Sequence, residues 1–202
     1  MRVTGLVLAA GASSRLGRPK QLVEVGGRPL VVHAVDALLD GGVEEIVVVV
    51  GAHAESVASA LPDHPQVRAV TNPDHHTGLA SSLQTGLDSV GPEVDAVVVL
   101  VGDQPGISGD SVRAVIASAA PDPGFAAVAA RYDDARGHPV LLRREVFPRL
   151  MTLAGDTGAR DLLRAIPVLE VPVGGPAPPD IDTEDDLRNV RRRWDAPGGA
   201  EP

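Results

Sequence analysis

The strongest constraint on this chain is a set of short, almost wholly apolar runs that each end on a small-residue turn. Val3–Ala9 (VTGLVLA) leads into Ala10-Gly11, Ile46–Val50 (IVVVV) ends at Gly51, and residues 94–101 (VDAVVVLV) lead into Gly102-Asp103-Gln104-Pro105. A strand with one wet face alternates apolar and polar residues. Runs this uniformly apolar and β-branched belong to strands buried on both faces, as in a parallel sheet. Helical patterns fill the intervals. Pro29 opens a helix through about Leu39, with Leu30, His33, Ala34, Ala37 and Leu38 on one stripe, and Gly41-Gly42 stops it. Further helices are predicted over 54–61, 78–90, 108–120 (Ser108 as N-cap), 144–151, 157–166 and 183–194. The last begins with Thr183-x-x-Asp186, the pattern of a capping box. Weaker strands are predicted at 67–71, 125–131, 139–142 and 169–173. This alternation predicts an α/β fold: a three-layer, doubly wound, mainly parallel sheet with helices on both faces. Residues 1–195 read as one domain, and the Pro/Gly-rich tail 196–202 is expected to fray. In such sheets ligands sit beyond the carboxyl ends of the strands. The turns after Ala9, Gly51, Thr71, Val101 and Ile181 are therefore the places to look for chemistry.

Composition removes several classes of function. The chain carries 18 Lys+Arg against 27 Asp+Glu, a net charge of −9, which argues against a general duplex binder. Aromatic residues are only 2%, namely Phe125, Tyr132, Phe147 and Trp194, too few for a single-strand stacking platform. With no cysteine, disulfides, iron–sulfur clusters and Cys-type zinc sites are excluded. No apolar run approaches the ~20 residues of a membrane span, and Val3–Ala10 lacks a signal-peptide cleavage pattern. The expectation is a cytoplasmic protein without nucleic-acid or membrane partners.

The first turn reads Leu8-Ala9-Ala10-Gly11-Ala12-Ser13-Ser14-Arg15-Leu16-Gly17-Arg18-Pro19-Lys20. It lacks the G-x-G-x-x-G of a dinucleotide fold, and no Lys follows Gly17 as a Walker loop requires. Small residues nonetheless let backbone approach a ligand, and successive amides can form an anion nest. Arg15, Arg18 and Lys20 concentrate positive charge in an acidic chain. A loop of solvated charges is the plainer reading; its place after the first buried strand favours a polyphosphate site.

This segment resembles the signature L-A-x-G-x-S-x-R-x-G-x-x-K of the MobA-like nucleotidyltransferases, most closely their molybdenum cofactor cytidylyltransferase branch. Pro19-Lys20-Gln21-Leu22 and Gly27-Arg28-Pro29-Leu30 extend the match. The resemblance implies a Rossmann-like nucleotidyltransferase fold in which the backbone of Leu8, Ala9, Ala10 and Gly11 holds the base. Ser13, Arg15 and Lys20 would hold the phosphates. Gly102-Asp103-Gln104-Pro105 and Asp180-Ile181-Asp182-Thr183 match the family's two acidic turns, which implies Mg²⁺ on Asp103 and Asp182, with Asp180 as the competitor for the second place. Strand-end carboxylates suit Mg²⁺; an ordinary turn aspartate at 103 and an N-cap at 182 are the plainer readings.

Three more segments match. Gly78-Leu79-Ala80-Ser81-Ser82-Leu83 opens a helix where Gly78, Ser81 and Ser82 would meet the nucleotide. Two departures occur here: Leu79 stands where the family usually has Met, and His75-His76 where an aromatic is common. The adjacent histidines read as loop residues rather than zinc ligands. Gly137-His138-Pro139-Val140 makes His138 an acceptor contact. Gly155-Asp156-Thr157-Gly158-Ala159-Arg160, a hallmark of the cytidylyl branch, makes Asp156, Thr157 and Arg160 an acceptor anion site; an N-cap with a solvated arginine is the alternative.

The implied reaction transfers CMP from CTP to the terminal phosphate of molybdenum cofactor, a molybdopterin, and releases pyrophosphate, with Arg15, Lys20 and Asp103 as the catalytic residues. GTP or another phosphorylated acceptor is the rival within the class. Ala10 speaks for a pyrimidine, since the guanylyl branch tends to have glycine there. A non-catalytic nucleotide-binding partner or chaperone of a molybdoenzyme is the rival of another class. An aspartyl phosphatase lacks its Asp-x-Asp pattern. With so few rings, the base is expected to be read along its edge by backbone and hydroxyl groups.

Overall fold

The computed structural model describes residues 1–13, 16–119, 124–155 and 163–196. Nine strands and six α-helices are present among them: β1 Val3–Ala9, β2 Glu24–Val25, β3 Arg28–Pro29, α1 Leu30–Asp40, β4 Ile46–Val50, α2 Ala54–Ala60, β5 Val67–Thr71, α3 Leu79–Asp88, β6 Ala96–Val101, α4 Gly109–Ala119, β7 Ala127–Arg131, β8 Arg136–Arg143, α5 Phe147–Leu150, β9 Val168–Pro172 and α6 Glu184–Trp194. Seven strands form one sheet in the order β5-β4-β1-β6-β8-β7-β9. All run parallel except β8, which is antiparallel to both its neighbours. The α/β, mainly parallel architecture expected from the apolar runs is the one observed.

The core follows from strand pleat. Leu6 of β1 points into a cluster with Val47, Val49, Leu83 and Leu87, on the face that α3 and α5 cover. Val7 and Ala9 point the other way, toward Val31, Ala34, Leu38, Val57 and Val112 of α1, α2 and α4. Helices thus cover both faces. Among the described residues no helix is long and apolar enough to cross a membrane.

Three local readings are sharpened. Ser108 does cap α4, its hydroxyl accepting from the Ser111 amide at 3.1 Å. The capping box of α6 is complete: Thr183 Oγ1 accepts from the Asp186 amide while Asp186 accepts from the Thr183 amide at 2.8 Å. The helix expected from Pro29 is preceded by a small hairpin, β2-β3, whose turn is Gly26-Gly27, both at positive φ. Of the helix expected over 157–166, residues 163–166 are described, helical at 163 and 164 and bent at 165 and 166; its earlier part and the tail from residue 197 lie outside the described residues.

The antiparallel direction of β8 has a plain cause. Only residues 132–135 separate it from β7, and the Tyr132 amide donates to the Ala135 carbonyl across the turn at 2.9 Å. A parallel crossover needs a dozen residues or more. Because β8 runs backward, its beginning, with His138, lies at the edge where the parallel strands end.

That edge tolerates little added bulk. A Cβ on Gly51 would lie 2.6 Å from the Ala10 carbonyl oxygen and 2.7 Å from His75 Cβ. Gly51→Ala is therefore expected to cost about 1–3 kcal/mol in denaturant unfolding, and an unchanged midpoint would show that the two turns do not pack this closely.

Candidate active site

β1 is followed by a crossover to β4 on one side, while β6 adds to its other edge, so the carboxyl ends of β1 and β6 flank a topological switch point. Three turns converge there. Lys20 sits in the 3-10 turn Lys20–Leu22 that ends the first loop. Asp103 lies in the turn after β6, and Asp182 just before α6. The Lys20 ammonium donates to the Asp103 carboxylate and, at 2.8 Å, to Asp182 Oδ1. Lys20 and Asp103 are largely shielded, with side chains 16% and 17% exposed, while Asp182 opens to solvent at 42%. The turns are tied by backbone as well, since the Ile181 amide donates to the Asp103 carbonyl at 3.1 Å.

The first loop is braced from within. Ser13 takes a positive φ of 56°. Its Oγ accepts from the Lys20 amide at 2.9 Å and donates to Gln21 Oε1 at 3.3 Å, while Gln21 Nε2 donates to the Gly11 carbonyl at 2.9 Å. Gln21 is buried. Ala9 and Ala10 are buried too, Leu8 is half-buried, and Gly11 is exposed. The Leu8 and Ala10 carbonyls accept from the Gly102 and Ala52 amides. Of the three cations in this loop, Lys20 reaches the acidic pair. Arg18 turns to Glu184 at 2.7 Å on the surface, and Arg15 lies outside the described residues.

The α3 segment is organised by a residue that motif reading passed over. Asn72 is buried after β5, and its Nδ2 donates to Ser81 Oγ at 2.9 Å and Ser82 Oγ at 3.1 Å. Ser81 in turn donates to carbonyls of Gly78 and Asp74. Gly78, at φ 116°, makes the sharp entry to α3 that a side chain would resist. His75 and His76 stand in the 3-10 turn His75–Thr77, and no group of three or more His, Asp or Glu that could hold a metal forms among the described residues.

A cleft of about 950 Å³ opens at the same sheet edge. Leu8, Val99, Val101, Leu79 and Leu83 give it an apolar wall; Gln104, Arg136, His138, Arg164 and Asp180 give it a polar one. Among the described residues, no Phe, Tyr or Trp lines it. Tyr132 is buried, and Trp194 packs edge-on against His33 with ring centroids 4.9 Å apart. Asp180 thus belongs to the cleft wall, whereas Asp182 meets Asp103 through Lys20. Asp156, Thr157 and Arg160 lie outside the described residues; the Gly155 carbonyl before them accepts from the Ala80 amide of α3 at 3.1 Å. Gln21, Asn72, Gln104 and Arg136 were missed as site residues. Gln21, Asn72 and Gln104 lie in or beside strand-end turns that the sequence points to, and Arg136 precedes the Gly137-His138-Pro139 motif, so position was the available signal.

Burial opposes the charge on Lys20, but the Asp103 carboxylate and then Asp182 outweigh it, raising its pKa above the ordinary 10.5. The folded state therefore holds this proton more tightly than the unfolded chain, and the resulting stability is lost as pH rises through the raised value. A Lys20→Met chain is expected to be less stable than the parent from neutral pH up to 10.5, with the gap closing above it. Equal denaturant midpoints at neutral pH would contradict the pairing.

Comparison with known proteins places this geometry in a family. The model of the MobA-like NTP transferase domain matches residues 5–171. The nicotine blue oxidoreductase of Paenarthrobacter nicotinovorans is 38% identical over 173 residues, covering 83% of this chain and 84% of that protein. The bifunctional protein GlmU of Streptomyces coelicolor is 32% identical over 166 residues, 80% of this chain, which spans only 34% of GlmU. Among solved structures, Rv0371c of Mycobacterium tuberculosis superposes with a TM-score of 0.85 at 33% identity, covering 95% of this chain and 98% of that one. A complex of the same protein with manganese gives 0.80 at 31% identity, with 95% and 99% covered. With its parallel sheet, its braced first turn and a match over most of its length, this chain belongs to the MobA-like NTP transferase domain family of nucleotidyltransferases.

Proposed function

We propose that this protein transfers CMP from CTP to the terminal phosphate of molybdenum cofactor and releases pyrophosphate. The observation that carries the reading is the convergence of Lys20, Asp103 and Asp182, from three separate turns, at the switch point of the sheet. Their chain neighbours Gln104 and Asp180 line the cleft, so the trio stands at its edge.

The two carboxylates meet on one ammonium, so their oxygens can approach one small cation. That donor set suits Mg²⁺, which takes one or two carboxylates and completes its shell with phosphate oxygens and water. Asp103 and Asp182 would hold the ion, and when bound it would neutralise charge on the nucleotide phosphates. The manganese complex of the mycobacterial relative supports a divalent cation in this family.

The remaining work falls to the chain. A terminal phosphate, with its second pKa near ~6, is already an anion at neutral pH. Its oxygen can attack the α-phosphorus of CTP without a strong base, so positioning and charge stabilisation dominate. Lys20, kept charged by its surroundings, and Arg15 would stabilise the departing pyrophosphate. The backbone of Leu8–Gly11 and the α3 start at Gly78, Ser81 and Ser82 would read the base by its edge, as a cleft without aromatic lining requires. Ser13 supports this indirectly by fixing the loop. The polar cleft wall, with His138, and the segment holding Asp156, Thr157 and Arg160 would take the acceptor. GTP transfer, or service as a nucleotide-binding partner of a molybdoenzyme, are outcomes of the same assay.

A second reading has one specific observation behind it. The relative from Paenarthrobacter is named an oxidoreductase of nicotine blue, and this chain matches it over most of both lengths. On that reading the cleft would hold a dye-like substrate beside a redox partner.

Incubation with Mg²⁺, molybdenum cofactor and labelled CTP or GTP is expected to place cytidylate in the cofactor, with release of pyrophosphate and loss of activity in excess EDTA. Label from GTP would move the assignment to a guanylyltransferase. Bleaching of nicotine blue with a supplied hydride donor, and no label transfer, would favour the second reading. Lys20→Ala and Asp103→Ala are expected to lower turnover roughly 10²–10³-fold with far smaller effects on melting; small and equal effects on both would refute the assignment.

A further inference from the structure

The last helix, α6, lies along the segment that carries Lys20 and is tied to it from end to end. At its start Glu184 takes the Arg18 guanidinium at 2.7 Å, and Asp182, just before the cap, takes the Lys20 ammonium at 2.8 Å. Midway, Leu187 and Val190 pack with Leu16, Val23, Val25 and Leu30 in a small core of their own. At its last turn Arg191 donates to a single carbonyl, that of Glu24 in β2, through Nε at 3.0 Å and Nη2 at 2.7 Å. Three residues on, Trp194 closes the seam.

Trp194, the single tryptophan of the chain, fits the turn of the β2-β3 hairpin. Gly26 presents bare backbone there at φ 57°, and a Cβ on it would overlap the indole nitrogen. The indole also stands edge-on to His33 of α1, with 4.9 Å between ring centroids. His33 is itself held, because its Nε2 donates to the Val25 carbonyl at 2.9 Å. The hairpin, α1 and α6 therefore meet at one point. A hairpin of two-residue strands has little stability of its own, so these contacts fix it against α6.

Lys20 and Asp182 thus ride on this seam, whereas Asp103 belongs to the main sheet at the end of β6. The separation of the two carboxylates depends on where the seam seats α6. An α-helix is stiff over the length of α6, about 16 Å for eleven residues, so contacts at its last turn bear on the residue before its first. We propose that Trp194 and Arg191 are positioning residues of the cation site: by docking the far end of α6 on the β2-β3 hairpin, they hold Asp182 where it can share one divalent cation with Asp103. The inference rests on the reading of those two carboxylates as the cation site. An arriving cation competes with the Lys20 ammonium for the same oxygens, so a small displacement of Asp182 falls directly on its affinity. Both residues act through α6.

The test is uptake of Mn²⁺ by the full chain, followed as loss of the free-ion signal in electron paramagnetic resonance, beside a melting curve for each variant. The parent is expected to take up the ion and Asp182→Asn to lose most of that affinity. Trp194→Ala and Arg191→Met should each raise the Mn²⁺ dissociation constant about tenfold, as changes to residues that orient metal ligands do. Trp194→Phe, which keeps a ring against Gly26 and His33, should stay near the parent. Val94→Ala serves as the control for stability alone: Val94 is buried just before β6, at the end of the sheet opposite the site. It should lower the melting temperature and leave uptake unchanged. Parent-like affinity in Trp194→Ala or in Arg191→Met would overturn the claim for that residue, and an equal loss of affinity in Val94→Ala would overturn it for both. A parent that takes up no Mn²⁺, or uptake unchanged in Asp182→Asn, would instead fail the cation reading itself, and the positioning inference with it.

Discussion

Double burial of β1 sets the rest of the structure. The strand is hydrogen-bonded to β4 on one edge and β6 on the other, with each register continuous over most of its length. Both its faces are covered by helices. Its polar backbone is satisfied along both edges by those two neighbours, and with helices over both faces of the sheet β4 and β6 are as apolar as β1. Gly5 shows how tight the packing is: a Cβ there would lie 2.8 Å from a methyl of Leu38. Once three such strands are fixed, their ends form one rim, and every turn leaving that rim is brought within reach of the others.

The rim concentrates charge that the composition hides. The chain is acidic overall, with a net charge of −9, yet its central site is organised round a lysine. Two carboxylates keep Lys20 charged despite burial. A charged group already in place costs no reorganisation when a phosphate arrives, which is the physical advantage of preorganised electrostatics. The same economy explains the loop hydroxyls. Ser13, Ser81 and Ser82, expected as ligand contacts, also form internal hydrogen bonds that hold their loops in place.

Much of the fold was legible because burial leaves a periodic mark. β1, β4 and β5 have the predicted limits, and β6, α1 and α4 fall within about two residues of theirs. The β2-β3 hairpin was not foreseen, although Gly26-Gly27 is a known two-residue turn signal; two-residue strands are too short to show a period. Among the site residues, Lys20, Asp103 and Asp182 were named from motif position. Asn72 and Gln104 were not, because a buried amide acts through partners that lie elsewhere in the chain, and its own neighbours in sequence carry no sign of them.

The division between sequence and tertiary structure follows from range. Most of the strands and helices, the turns that end them, and the acids and cations those turns hold could be read from local pattern, because side-chain period and turn chemistry are local properties. Which of these turns and side chains meet was settled by strand order and packing. The tertiary structure joined Lys20 to Asp182 across 162 positions, sent Arg18 to the surface, gave Asp182 rather than Asp180 to the central trio, and placed the reversed β8 so that His138 meets Gln104. Those outcomes depend on strand order and on close packing around β1, and no local pattern encodes either.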